Sequence, residues 1–300
     1  MCTFVHEMCT VASVYSLLLA IIYIAFVSLG LPDSLIGSGW PVMHGDLGVP
    51  VAFAGIITML IAASTIVSSL ASERVTRRFG TGVVTAVSVG LTAAALVGFS
   101  TSGSFWMLCL WAIPYGLGAG AVDAALNNYV ALHYAARHMN WLHSFWGVGA
   151  AISPFIMSYA ITSGLGWTGA YRTVGIIQAV LTVALIVSLP LWGKVHRVAP
   201  AGQADADHDG EAPDGEAPPE RTGHVPLKQA LRIPGVLFIL AAFFAYCGLE
   251  GTSILWASTY LVTERGVDVA TAAAFGALFL LGITGGRFLA GFFADRVGDK

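Results

Sequence analysis

The chain has 300 residues, of which 56% are hydrophobic and only 10% charged, with a formal net charge of −3. Water-soluble domains carry roughly 25% charged residues, so a soluble globular protein is excluded; no nucleic-acid partner is expected, the slight net charge itself saying nothing about one. The charges also cluster, leaving several windows long enough to cross the ~30 Å hydrocarbon core as a helix.

Eight spans are predicted, over about 14–43, 51–70, 82–100, 105–133, 141–163, 168–192, 235–262 and 270–293. Their apolar runs are continuous and lack the alternation of lipid-facing strands, so the fold class is an all-α polytopic membrane protein and not a barrel. The first span has no basic n-region and is too long and apolar for a cleaved signal peptide. It carries Asp33 in "LGLPDSLIGSGWP", where Gly30, Pro32 and Gly39 predict an irregular helix. After the second span comes a charged loop, "SSLASERVTRRFGTG". The fourth span ends in "GAGAVDAALNNYVALHY", with Asp123, Asn127 and Asn128 at membrane depth, and the fifth opens on "NWLHSFWGVGAAISP".

Residues 198–225, "VAPAGQADADHDGEAPDGEAPPERTGHV", differ in kind. With almost nothing to bury, such a segment is expected to be a disordered linker, and its acids and His208 are read as a solvated spacer, not a metal site. The seventh and eighth spans follow, and the eighth runs into "GGRFLAGFFADRVGDK". The expected organisation is therefore a six-helix bundle over 1–193, a cytoplasmic linker over 194–234, and two further helices over 235–300. Cys2, Cys9, Cys109 and Cys247 show no metal-ligand spacing and read as ordinary small residues.

Orientation follows from the basic residues. With the N-terminus inside, eleven of the 14 Lys and Arg residues fall in inside connections and only Arg172 and Arg265 in outside ones, with Arg287 within the last span. That bias predicts a cytoplasmic N-terminus in a multi-pass protein of the cell membrane.

Both charged loops place small residues on a helix end, then a charged cluster, then glycine. The second copy, with Gly286, Gly291 and Gly298 framing Arg287, Asp295 and Arg296, resembles the G-x-x-x-D-R-x-G signature of the major facilitator superfamily. The first copy has Ser72, Glu73 and Arg74 where that pattern has Asp–Arg. The resemblance covers nearly the whole chain. It implies a conformational-switch loop for Arg74, Arg78, Arg287, Asp295 and Arg296, and a monomeric secondary active transporter that needs no cofactor. The family's full fold has two six-helix bundles, so the chain is expected to lack its last four helices and not to transport by itself.

The intramembrane polar residues carry the functional reading. Gly116, Gly120, Asp123 and Asn127 are spaced 4, 3 and 4 and share one helix face. Glycines there admit a close neighbour, and an ionisable residue at that depth, which costs about 2.5–3.5 kcal/mol on insertion scales, is a functional candidate. The competing reading is a packing helix whose Asp is hydrogen-bonded structurally. Asp33 is either a pathway carboxylate or a residue of the outer mouth. His143, one turn from Trp146, is a ligand-facing or a core histidine. Glu250 shares a face with Tyr246, Ser253 and Tyr260 beside Trp256, and carries the same cost as Asp123.

Within the superfamily these positions are most similar to the fucose permease-like proton–sugar symporters: Asp123 with Asn127 on the fourth helix, Asp33 on the first, Asn140 with His143 on the fifth. That resemblance implies roles for Asp123 and Asp33 in proton coupling and for Asn127 and His143 at a sugar-like substrate, while Trp146 stands where the pattern has an asparagine. The reading of the polar residues themselves adds Glu250 to the proton-coupling set and Asn128, Trp146, Tyr246 and Trp256 to the substrate-binding set. Because burial disfavours a charged carboxylate, Asp123 is expected to alternate between neutral and ionised states. The rivals are a drug–proton antiporter on the same fold and a non-transporting remnant. An enzyme is not expected: "GFSTSG" at 98–103 has no histidine assigned to face it, and no phosphate-cradling G-x-x-x-x-G-K-[ST] is present.

The orientation is tested in a cysteine-free background. Gly103→Cys should react with an impermeant thiol reagent added outside, and Gly210→Cys only after permeabilisation. The opposite pattern reverses the topology.

Overall fold

The computed structural model describes residues 2–198 and 227–297, with side chains at 15–135, 137–192 and 229–292. Of the expected linker over 194–234, residues 194–198 are helical and 227–234 are described, whereas 199–226 lie outside the described residues, as do the side chains of Asp295 and Arg296. Described in chain order are α1 (Cys2–Asp33), α2 (Leu35–Asp46), α3 (Ala54–Phe79), α4 (Thr81–Ser100), α5 (Phe105–His133), α6 (Ala136–Thr162), α7 (Gly166–Val198), the single turn α8 (Leu227–Ala230), α9 (Val236–Arg265) and α10 (Val269–Val297).

Among the described residues eight spans are long and apolar enough to cross a bilayer, the first of them made of α1 and α2 together over Tyr15–Asp46. No strand occurs among the described residues. This all-α polytopic architecture is the one the hydropathy predicts. The second span runs further than expected, to Phe79, because the helix continues past the hydrocarbon core into the charged loop. It ends at Gly80, whose φ of +82° suits a residue without a Cβ. Asp268 starts α10: its carboxylate accepts the Thr271 backbone N–H at 2.9 Å. That N-terminal cap holds the Asp268 carboxyl below the usual carboxylate range.

The helices pack in pairs. α5 lies against α3 and α4, α4 against α7, α1 against α6 and α7, α10 against α6 and α9, and α9 against α2. Two apolar clusters fill the six-span body. One surrounds Leu35, Trp40, Ile57, Phe99 and Tyr171; the other surrounds Leu18, Phe26, Leu126 and Tyr129. α9 is exposed along most of its length, with Phe238 and Phe244 about four-fifths exposed, as suits a surface facing lipid or further apolar helices.

Glycines set the closest approach. A Cβ on Gly30 would collide with the Trp146 carbonyl, and one on Gly149 with the Val27 carbonyl, so α1 and α6 meet backbone to backbone. Gly116 and Gly120, expected from sequence to admit a neighbour, sit against the Ile61 and Thr65 carbonyls of α3. Thr65 and Ser69 of that helix donate back to the carbonyls of Gly116 and Gly120 at 3.2 and 3.1 Å.

Pro32, Pro41, Pro114, Pro154 and Pro190 lie inside spanning helices, and the carbonyls freed by Pro32 and Pro154 are each met by a side chain from elsewhere. Pro32 has no N–H for the Ser28 carbonyl one turn back; Gln178 of α7 donates its side-chain amide, Nε2, to it and accepts the Ser28 hydroxyl at 2.9 Å. Pro154 frees the Ala150 carbonyl, and the hydroxyl of Ser34, at the break between α1 and α2, donates to it at 2.6 Å. The irregular first helix predicted around Pro32 is thus real, and its break at Ser34 is tied into α6.

This arrangement predicts a coupling between Pro32 and Gln178. Gln178→Met should cost about 1–3 kcal/mol by stranding the Ser28 carbonyl, read as a lowered melting temperature in detergent. In a Pro32→Ala background, where residue 32 recovers its N–H, the same substitution should cost clearly less. Equal costs in both backgrounds would mean that Gln178 does not serve the freed carbonyl.

Candidate functional site

The polar intramembrane residues gather around one indole. Asp33, the last residue of α1 before the break, projects towards α5 and α6, where Tyr115 donates its hydroxyl to Oδ1 at 2.7 Å and Trp146 its indole N–H to Oδ2 at 2.8 Å. Both carboxylate oxygens are therefore paired. They stay accessible from a cavity of about 530 Å³ lined by Asp33, Thr58, Thr65, Tyr115, Trp146 and Trp256.

A second compartment of about 460 Å³ shares Trp146 and Cys247 with the first. Its polar lining is Asp123 from α5, Asn140 and His143 from α6, Tyr246 and Glu250 from α9, and Arg287 from α10. Both volumes fall in the range of small-molecule pockets, about 300–1,000 Å³. Asp123 accepts a hydrogen bond from Asn127 Nδ2 at 3.0 Å one turn further along, while Asn127 Oδ1 is buried without a partner. The His143 ring meets Phe26 edge to face at 5.8 Å, so one flank packs on the core while the residue lines the compartment.

Arg287 is the only described cation in that lining besides the titratable His143. Its Nη2 lies 3.1 and 3.2 Å from the two Glu250 oxygens and 2.6 Å from the Tyr246 hydroxyl. Its guanidinium carbon sits 5.4 Å above the Trp146 ring and 5.9 Å from that of Tyr246. Trp146 thus offers its N–H to Asp33 and its face to Arg287, the charge-on-ring arrangement favoured by the aromatic quadrupole.

Several expectations need correcting. Arg287, grouped by the resemblance with Asp295 and Arg296 in a switch loop, reaches from within the last span into the cavity, because a guanidinium at that depth needs a carboxylate and Glu250 stands opposite. Asn128 was expected beside Asn127 at the substrate; neighbouring positions on a helix point about 100° apart, and Asn128 lines a separate exposed hollow with Ser69, Ser72 and Glu73. Tyr260, read on the Glu250 face, lies outside both compartments and takes the Arg265 Nε–H at 2.9 Å. Arg74 and Arg78 are exposed at the end of α3, Arg78 lying over the Phe79 ring.

Tyr115 and Gln178 escaped the sequence reading, since a tyrosine and a glutamine in apolar runs carry no motif. Arg287 could have been found, because the cost that singles out Asp123 and Glu250 applies equally to an intramembrane arginine. Cys247, read as an ordinary small residue, lines both compartments.

Eight apolar helices enclosing a two-part polar cavity define a multi-pass membrane protein. The chain belongs to the Major Facilitator Superfamily, whose sequence profile it matches over residues 22–300; that family is one of transporters. Among curated proteins it is 23% identical over 282 residues to Bypass of stop codon protein 6 of Saccharomyces cerevisiae, an alignment covering 91% of this chain and 56% of that one. It is 24% identical over 287 residues to the Hexuronate transporter of Bacillus subtilis, covering 93% of this chain and 64% of that protein. The chain thus spans less than two thirds of the length of either relative.

The Asp33 clasp has a measurable consequence. Tyr115→Phe and Trp146→Phe should each cost about 1–3 kcal/mol, the usual range for a hydrogen bond to a charged group. The double variant, which leaves Asp33 neither donor, should melt at the lowest temperature in detergent. Unchanged melting in all three would mean that cavity water replaces the donors without loss.

Proposed function

We propose that the chain belongs to a proton-coupled secondary transporter, one that takes up a sugar or a related polar small molecule by alternating access. The observation that carries this reading is the meeting of Asp123 with Asn140, His143 and Tyr246 around one cavity of small-molecule size. Hydroxyl-rich solutes need paired donors and acceptors, and amide, imidazole and phenol groups supply both. The Trp146 and Trp256 rings bordering the neighbouring compartment offer flat apolar faces for a pyranose. Family membership and the transporter among the relatives support transport as the activity, and the named substrate of that relative is a sugar acid.

Asp123 is the proton site. A carboxylate that is neutral in one state and ionised in the other links the proton to the state equilibrium, because coupling is a difference in affinity between two conformations. Asn127, bonded to Asp123 with one oxygen unpartnered, reports the state of the acid. Asp33 holds the neighbouring compartment and accepts substrate hydroxyls or passes the proton. Glu250 is the third exchangeable acid. The basic loop residues Arg74 and Arg78, with Asp295 and Arg296, serve the cytoplasmic switch, in the cell-membrane orientation with the N-terminus inside. The protein works as a monomer.

The test is transport by the protein expressed from its natural gene. Asp123→Asn, which mimics the protonated acid, should abolish uphill accumulation of substrate while counterflow exchange partly survives. Asp33→Asn should weaken substrate binding more strongly, by tenfold or more if it removes a direct charged hydrogen bond. Accumulation against a gradient by Asp123→Asn would move the proton role to Asp33 or Glu250.

A further inference from the structure

Resting on the proposed transport of a sugar-like solute, the geometry of the second compartment narrows the substrate class. We infer that Arg287 is an anion-binding residue of the cavity, with Glu250 as its resident partner, and that the substrate carries a carboxylate, as a sugar acid does.

Three observations lead there. Arg287 projects into the compartment from α10 and makes its contacts to Glu250 and Tyr246 through one nitrogen, Nη2. Among the described residues Nη1 and Nε have no hydrogen-bond partner, so part of a fork suited to bidentate carboxylate recognition is left uncommitted in a residue that lines the cavity. The guanidinium is also flanked by aromatic rings, its carbon 5.4 Å from the Trp146 centroid and 5.9 Å from that of Tyr246. An arginine confined between two rings and an acid loses less freedom on binding a planar anion.

The third observation is charge. The compartment is lined by two carboxylates, Asp123 and Glu250, against one guanidinium. With His143 neutral and both acids ionised, negative charge exceeds positive by one, and a bound carboxylate would raise that excess to two. An anion that enters with a proton leaves that excess unchanged. Glu250 is placed to take the proton: once protonated from the aqueous side it surrenders its ionic hold on Arg287, and the substrate carboxylate takes its place. Proton and anion then favour the same state without needing to touch each other.

The groups facing Arg287 are few. α9 contributes Tyr246, Cys247 and Glu250, α6 contributes His143 and the Trp146 face, and Asp123 approaches from α5. Asp33 of α1 lies on the other side of the same indole. α2, which also packs on α10, sends no titratable side chain into the compartment.

The experiment compares D-glucuronate with D-glucose, which differ in a carboxylate against a hydroxymethyl group, as ligands of the purified full chain in detergent. Wild type should prefer glucuronate by about ten- to hundredfold, the range of a hydrogen bond to a charged group, and the preference should grow as the pH falls from neutral. Arg287→Gln should collapse it, and Arg287→Lys should retain part, since the charge stays but the fork is lost. Glu250→Gln, with the competing anion removed, should bind glucuronate at least as tightly at neutral pH and lose the pH dependence.

Equal or tighter binding of glucose by wild type would overturn this inference and leave the sugar reading standing. A glucuronate preference that survives in folded Arg287→Gln would overturn Arg287 as its source. Binding of neither probe would overturn both readings. A pair that is merely structural would lower the melting temperature of Arg287→Gln and Glu250→Gln without changing the preference, and that result also counts against it.

Discussion

The side chain of Trp146 and its backbone bring Asp33, Arg287 and Gly30 together at membrane depth. Its indole N–H holds Asp33, its ring face carries Arg287, and its carbonyl lies where a Cβ on Gly30 would be. Through one residue the broken first span, the fifth and the eighth are fixed in register. The reason is the solvent. In hydrocarbon no water replaces a missing partner, so a carboxylate or a freed carbonyl is tolerated only where protein supplies the donor. Asp33 has two donors from two helices, and the helix break that exposes it is pinned by Ser34 on Ala150. The cavity exists because these debts are met at its walls instead of by collapse.

Magnitudes separate the ion pairs. Arg77 and Glu73 lie 3.8 Å apart on one exposed helix face, with side chains 68% and 48% exposed. Such a pair contributes about 0–1 kcal/mol. Arg287 and Glu250 are 3.1 Å apart on two helices and only 24% and 11% exposed. Removing one partner of a buried pair costs about 3–5 kcal/mol, whereas replacing both is often neutral. The pair therefore adds little net stability over an apolar contact, and a fixed contact alone could have been made from leucines. What the pair adds is a guanidinium held within a cavity that is otherwise lined by acids and neutral groups.

The fold was legible because its signal is one of solvent. Twenty-residue windows without charge can do little else in water or lipid, and the span ends moved by a few residues, most where the second span ran on into a charged loop, to Phe79. The break at Ser34 was also legible, since Pro32 beside Gly30 allows few alternatives. The site was legible by element and not by partner. Cost at depth marks Asp33, Asp123 and Glu250 from sequence alone, and all three border the cavity. Tyr115 and Gln178 were not legible, because either could serve an apolar helix equally well until the opposite helix is known. Asn128 misled for the converse reason: its neighbour Asn127 lies on the inward face, and a dipeptide hides the 100° turn between them.

Pro32 and Pro154 show how far the same constraint reaches. Each leaves a carbonyl one turn back without its N–H, and each such carbonyl is met by a side chain from another helix: Gln178 for Ser28, Ser34 for Ala150. A helix pair held only by apolar contact can slide, since one hydrocarbon surface is much like another. A pair held by a donor on a single freed carbonyl has one register. α1 is fixed in this way to α7, and the junction of α1 and α2 to α6, which sets Asp33 in reach of Tyr115 and Trp146. α9 and α10 meet this body differently, Gly37 of α2 lying on the backbone of α9 and Gly147 of α6 on the Thr284 side chain of α10. No freed carbonyl locks those two contacts among the described residues, and the pairing of Arg287 with Glu250 runs within the α9–α10 unit. The body is thus registered by hydrogen bonds, and its junction with α9 and α10 by close glycine contacts and by the Arg287 guanidinium over the Trp146 ring.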